Sequence, residues 1–341
     1  MLPWLGEDFG NPSSIHHWGQ KARQAVEVAR ERVAELVDAA DPFEIIFTSG
    51  ATEANNWVIQ SFSRACISPF EHSSVLQPSL ARGCEISEND SWTIGCPMDG
   101  AVTLLSSLLV NNETGAFVDA RQWFHQSALP VHRDLTQAAG KFVLHEHAYD
   151  LGTFSAHKFH GPKGAGVLHL RGSSLIEPLL IGGGQEGGMR AGTLNVPAIV
   201  GTGAAAAIAM DEMEADLALA QECRSILMEA LARIPDSFVV EGVGQGVVQS
   251  PYILSCCFAG LYAEPLVIEL DARGYGISSG AACSSETTEP SHVLRALGLS
   301  DDLIRGAARF SFGRFSSREG AQALASLLPK VVEDVRSLGR T

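Results

Sequence analysis

Basic residues are scarce. Lys and Arg number 24 against 39 Asp and Glu in 341 residues, a formal net charge of −15. Nucleic acids and anionic membranes are gripped by basic patches, so neither is expected as a partner. A local basic pocket for a small anion remains compatible with this balance. Cysteine is sparse and irregular: seven residues, an odd number, with no C-x-x-C spacing. This points to a reducing, cytoplasmic setting rather than a disulfide framework, and no metal site is assigned. No basic segment leads into an apolar run at the N-terminus, as a secretory signal would. No uninterrupted apolar stretch is read as long enough to span a bilayer. No internal repeat or low-complexity segment stands out.

What is present is ordinary for a globular chain with many turns: 45% hydrophobic residues, 34 Gly and 15 Pro. The length predicts one large or two moderate domains. Ile15, Trp18, Ala22, Val26, Ala29, Val33 and Leu36 fall at three- and four-residue spacing and predict an amphipathic helix over 13–38, with Asn11-Pro12-Ser13-Ser14 as its start. Strand-like runs follow at 44–47, 104–110, 130–132, 141–144 and 166–170, separated by turns and helical pieces. They predict an α/β domain with a mostly parallel sheet. The segment between Phe62 and Leu104 stays unassigned. A long helix is predicted over 197–232, rich in Ala, Leu, Ile and Met. Beyond Pro235 short strands (238–240, 252–258, 308–312) alternate with helices (264–273, 291–297, 318–338). This predicts a large domain over 10–234 and a smaller α+β domain over 235–341, joined by residues 1–9.

The chemistry centres on Ser155-Ala156-His157-Lys158-Phe159-His160-Gly161-Pro162-Lys163-Gly164. Its first lysine lies in a stretch poor in other charges, between strand-like segments. A lysine partly withdrawn from water has a lowered pKa, and its amine can form a Schiff base with an aldehyde cofactor. A plain surface lysine is the alternative. Pyridoxal phosphate would need, besides the lysine, an acid facing its pyridine nitrogen and a phosphate cradle. Asp134 ends a predicted strand, where ligands of open α/β sheets bind; it can equally cap the next helix. Thr48-Ser49-Gly50-Ala51-Thr52 runs from a strand into a helix start, an anion site or an ordinary capping turn. With Ala51 and Thr52, Ser155 and His157 could complete the cradle. His72 is either a ring-stacking group or a structural histidine. Cys283, in the small-residue loop 278–290, is a better nucleophile candidate than Cys256 and Cys257, which sit in an apolar run and should be inert. Arg309, a cation in an apolar strand, needs an anion: a substrate carboxylate or an internal acid.

In this ordered set the chain resembles the group I cysteine desulfurases of the NifS/IscS type. These are fold-type I pyridoxal-phosphate enzymes of the class V aminotransferase family. The resemblance runs from about Leu5 to Ser317. It is carried by Phe9-Gly10-Asn11-Pro12, Thr48-Ser49-Gly50-Ala51-Thr52-Glu53, Asn111-Asn112-Glu113-Thr114-Gly115, Asp134 with Gln137, Ser155-Ala156-His157-Lys158, Gly182-Gly183-Gly184-Gln185-Glu186, Arg190-Ala191-Gly192-Thr193, the Cys283 loop and Arg309.

The resemblance implies an α/β fold with a seven-stranded-type sheet and a smaller α+β domain. It implies Lys158 as Schiff-base and acid–base lysine, Asp134 at the pyridine nitrogen, Gln137 at the ring hydroxyl and His72 stacked on the ring. Asn112 would lie beside ring and substrate, and Ala51, Thr52, Ser155 and His157 around the phosphate. Thr193 would reach the phosphate of a partner subunit in a homodimer, and Arg309 would bind the carboxylate of L-cysteine. Cys283 would take the sulfur as a persulfide and pass it to an acceptor protein, for iron–sulfur clusters or thiolated cofactors. Members of the family begin with a Tyr-Leu-Asp-Asn-x-Ala-Thr-Thr-Pro type segment, and this chain begins beyond it. The stretches 57–71 and 85–108 are shorter than usual, Gly187 replaces a common basic residue and Ala281 a common Ser. A selenocysteine lyase or cysteine C–S lyase of the same branch, and a truncated, non-catalytic scaffold protein, are the alternatives.

Overall fold

A computed structural model describes residues 1–87, 101–118, 129–144, 149–172, 175–242, 247–280 and 290–338. By their contacts they divide into two units. One holds the described residues of 1–110 and 119–213, the other Asn111–Val118 and the described residues of 214–341.

The first unit is built on short strands that, apart from the edge strand Glu85–Ile86, are largely buried on both faces, as expected of a parallel sheet covered by helices. These are β1 (Ile45–Thr48), β2 (Ala65–Ile67), β3 (Glu85–Ile86), β4 (Leu104–Leu108), β6 (Val131–Asp134), β7 (Leu151–Ser155) and β8 (Gly166–Leu170). They form one seven-stranded sheet in the order β1-β8-β7-β6-β4-β2-β3. The run from β3 to β7 is parallel; β8 pairs antiparallel with both β7 and β1. Helices α1 (His17–Val37), α2 (Ala51–Ser61) and α3 (Ser73–Ala81) accompany it. Trp57, Val58 and Ile59 of α2 pack with Ile46, Ile67, Val75, Leu104, Leu151 and Leu168 in one core. Each such side chain contributes roughly 1.5–3 kcal/mol by leaving water.

The second unit has a four-stranded antiparallel sheet in the order β12 (Ser278–Ser279), β13 (Ala307–Ser311), β11 (Ile253–Phe258), β9 (Ser237–Val240). A separate pair joins β5 (Ala116–Val118) to β10 (Val247–Gln249). Leu254, Cys256 and Phe258 of β11 are buried against Leu328, Val331 and Val332 of the helix Arg318–Leu338. Cys256 and Cys257 are the inert strand thiols expected: burial pushes the first far above its usual pKa and the second up to about 11.

Several expected details differ. Ile15 and Trp18 precede or open α1 and are exposed, because the buried stripe begins at Ala22. Lys141–Leu144 is a turn rather than a strand: Gly140 takes a positive φ of 74°, the amides of Lys141 and Phe142 donate back to Ala138 O, and Val143 faces solvent. The long helix α4 runs from Val196 to Leu231 and is, by length and composition, apolar enough to cross a bilayer, although Asp211 and Glu212 interrupt its apolar run. Its apolar residues serve protein cores: Ile199 and Ala206 are buried, and Leu227 and Leu231 join the second unit's core. By contacts the two units divide inside this helix, between Met213 and Glu214.

One ion pair ties α1 to the loop before α4. Arg30 donates to Glu186 through two nitrogens, at 3.0 and 2.8 Å, and also to Ile45 O; Glu186 further accepts from the Phe47 amide at 2.8 Å. The Glu186 side chain is wholly buried, and its backbone sits in the left-handed region with φ 49°. Removing the cation strands a buried carboxylate. Arg30→Ala should therefore cost about 3–5 kcal/mol in denaturant-induced unfolding, whereas a cost near zero would show the pair to be dispensable.

Candidate functional site

Parallel strands leave their carboxyl ends on one side of the sheet, and the site residues of the first unit collect there. β6 ends in Asp134, paired in register with Thr153 of β7. β7 ends in Ser155 and passes into a one-turn 3₁₀ helix, Ala156–Phe159, which carries His157 and Lys158. The chain then reverses: His160 takes φ 69° and Gly164 φ 77°, and β8 returns antiparallel to β7. Asp134 and the Lys158 turn thus leave neighbouring strands at the same end. Lys158 is exposed, not withdrawn from water as expected. His157 is held below its usual pKa, first by burial and then by the charges of Lys158 and Lys163.

The helix start lies next to this turn. Gly50 caps α2, and the Ala51 amide donates to Ser155 Oγ at 2.8 Å. The close approach depends on Gly166 of β8. A Cβ there would meet the Gly50 backbone at 2.4 Å. The first-turn amides of α2 have no intrahelical acceptors, and the helix dipole adds partial positive charge at this point. Glu53 of the same turn accepts from the Ser49 amide and is paired with Arg190 at 2.9 and 3.2 Å. These contacts fix the loop that carries Thr193, an exposed residue, to the helix start.

Asp134 is buried and accepts hydrogen bonds at both oxygens, from the Thr136 amide and from Asn55 Nδ2, each at 2.9 Å. Asn55 also donates to Ser74 Oγ at 2.8 Å, and that hydroxyl lies 2.8 Å from His72 Nδ1. His72 caps α3, accepting from the Ser74 amide. One amide group therefore ties together Asp134 and His72. Asn55 was not singled out in the sequence; the available signal was a polar residue on the face of α2 that otherwise shows Ala51, Val58 and Ile59. Gln137 Oε1 accepts from Lys141 Nζ at 2.7 Å, which leaves its amide protons for another acceptor.

Asn112 and Arg309 belong to the second unit. There Arg309, on β13, donates to Asn112 O at 2.7 Å and to Ser278 Oγ at 3.2 Å. Among the described residues these two polar acceptors receive its guanidinium in an otherwise apolar strand. Cys283 and most of its loop, 281–289, lie outside the described residues.

The end of the sheet offers a helix start and small hydroxyl residues for an anion, a buried carboxylate for a cationic or N–H group, and a lysine on the adjoining turn. Gly166→Ala should lift α2 from β8. Thermal melts should show a lower Tm than the parent and little stabilisation by inorganic phosphate; parent-like protection by phosphate would contradict the cradle.

Known proteins share this architecture. The sequence model of the class-V aminotransferases matches residues 3–324. The cysteine desulfurase IscS of Dictyoglomus turgidum is 36% identical, with 99% of this chain and 91% of that protein covered. The cysteine desulfurase IscS of Salmonella typhi is 38% identical over 99% of this chain and 89% of its own length. Among solved structures, a NifS-like protein superposes with a TM-score of 0.86 at 30% identity, covering 98% of this chain and 94% of the other. The NifS-like protein from Rickettsia africae gives 0.84 at 25% identity, covering 95% and 92%. The seven-stranded sheet with its single reversed strand, and these matches along nearly the whole length, make the chain a member of the class-V aminotransferase family.

Proposed function

We propose that this protein is a cysteine desulfurase that binds pyridoxal 5'-phosphate, takes sulfur from L-cysteine, and releases L-alanine. The observation that carries the reading is the placing of Asp134 and the Lys158 turn on neighbouring strand ends, beside the start of α2. The full-length likeness to cysteine desulfurases supports it.

Two features support the fit of the cofactor. The Ala51 amide and Ser155 Oγ meet at a helix start made of small residues, where a Cβ on Gly50 would project to 3.6 Å from Ser155 Oγ. Beside Asp134, Thr136 Oγ1 is buried with no hydrogen-bond partner among the described residues, a polar group that a ligand can satisfy. Ala51, Thr52, Ser155 and His157 would hold the phosphate. Asp134 would face the pyridine nitrogen, Gln137 the ring hydroxyl, and His72 the ring face. When bound, pyridoxal phosphate supplies an aldehyde and an electron-poor ring that stabilises negative charge at the Cα of an amino acid.

The chain's own groups do the rest. Lys158 would hold the cofactor covalently through its amine and would move the Cα proton. Asp134, fixed by Asn55 and the Thr136 amide, keeps a negative charge where the ring nitrogen would lie. From the second unit, Asn112 would lie beside the substrate and Arg309 would hold its carboxylate, a planar acceptor suited to guanidinium. The Cys283 thiolate would attack the substrate sulfur, forming the S–S bond of a persulfide as the Cβ–S bond breaks and its electron pair stays with the carbon skeleton, which takes up a proton and leaves as alanine; a loop cysteine can then deliver the sulfur to an acceptor protein. Thr193 would complete the phosphate site of a second copy, which makes the working form a homodimer.

Lys158→Ala should abolish the visible absorbance of the pyridoxal-loaded protein and all release of alanine. Cys283→Ala should keep the absorbance and lose at least about a hundredfold in alanine release, as for removal of a nucleophile. Unchanged turnover in Cys283→Ala would contradict the persulfide route.

A further inference from the structure

Behind Asp134 runs a line of buried polar groups that the proposed reaction leaves unused. Its proton order follows from hydrogen-bond valence. Asn55 spends both amide protons, on Asp134 Oδ2 and on Ser74 Oγ. Turned over, the amide would set its oxygen against the Asp134 carboxylate, so Oδ1 is an acceptor. Thr153 donates its hydroxyl proton to that Oδ1. The same hydroxyl lies 3.0 Å from His132 Nε2 and has only lone pairs left to offer, so Nε2 carries a proton. In a neutral imidazole Nδ1 is then bare, and it accepts from Ser106 Oγ at 2.8 Å. In the last contact, at 3.4 Å, Ser106 Oγ would donate to an ionised Glu71 Oε1; with the Ser106 proton spent on His132, the proton of that contact has to come from a protonated Glu71 carboxyl.

Burial agrees with these protonation states. Glu71 and His132 are both fully buried. Burial holds His132 well below its usual pKa, with the Asp134 charge opposing and the Arg133 charge adding to it. Burial lifts Glu71 to about 8, with Asp134 adding; Arg133 and the Leu108 amide pull the other way, as Ser106 would if its hydroxyl were turned to Glu71 and not to His132. The alternative, an ionised Glu71 with a doubly protonated His132, would place two charges here at a high desolvation cost.

We propose that Glu71 is a positioning residue of the cofactor site, a neutral acid at the head of a one-way chain Glu71–Ser106–His132–Thr153–Asn55 whose donors all point toward the Asp134 carboxylate. The chain fixes the Asn55 amide so that Asp134 remains an acceptor aimed at the ligand. Its functional sense rests on the reading of Asp134 as the partner of the ring nitrogen, whereas its proton order does not.

The test compares Glu71→Gln, whose amide can donate as the neutral acid does, with Glu71→Ala. In the protein without cofactor, nitrogen NMR of isotope-labelled histidine should show His132 neutral with its proton on Nε2, in the parent and in Glu71→Gln. The sign of the pH dependence is fixed. A folded-state pKa of about 8 lies above the usual 4.5, so the parent binds a proton that the unfolded chain has released. Its stability falls as pH rises between these values, while a glutamine does not titrate. The Tm of Glu71→Gln should therefore gain on the parent from pH 5 to pH 8. In pyridoxal phosphate titrations Glu71→Gln should stay within about twofold of the parent and Glu71→Ala should bind about tenfold more weakly, the effect of one broken buried hydrogen bond. A charged or Nδ1-protonated His132, or a Glu71→Gln variant that loses Tm against the parent as pH rises, would overturn the proposal. If pyridoxal phosphate fails to bind the parent, the cofactor reading falls, and the NMR and Tm results still decide the proton order.

Discussion

A carboxylate buried at the end of a sheet is tolerable only if donors hold it, and the amide of Asn55 is the donor on which this site depends. It reaches Asp134 with one proton and Ser74, and through it His72, with the other. Helix α2 thereby acts twice. Its first turn presents amides to Ser155, and its second turn carries the residue that fixes the acid. The sheet supplies the rest by register, since Asp134 and Thr153 are partners on adjacent strands and both meet Asn55.

Close backbone approach makes this geometry reachable. Gly166 lets Gly50 sit on β8, which sets the height of α2 above the sheet. The Glu53–Arg190 and Arg30–Glu186 pairs then secure the loop 182–193 to α2 and α1. Partly buried bidentate pairs of this kind add geometric specificity beyond their modest net energy.

Much of the architecture was legible because burial writes itself into short apolar runs. The strands at 104–108 and 166–170 and the long helix were visible in this way. The run at 141–144 misled, since Phe142 and Val143 look like a strand until Gly140 turns the chain. Asp134 and the Lys158 turn could be singled out because acids and lysines at strand ends carry chemistry. Asn55, His132 and Glu71 could not: their roles depend on which strands are neighbours and on which residues face α2, and a linear pattern holds neither. Lys158 was expected to be withdrawn from water, a property of the surroundings that local composition does not determine.

In the function proposed for this protein, Asp134, Lys158 and the α2 start serve a site that removes sulfur, rather than ammonia, from cysteine. The most direct measurement is product analysis of the purified parent protein, loaded with pyridoxal phosphate and given L-cysteine. The account predicts alanine as the carbon product, with protein-bound sulfane sulfur appearing before any acceptor is added. Pyruvate with ammonia and free sulfide, or no turnover by a protein that has bound the cofactor, would contradict it.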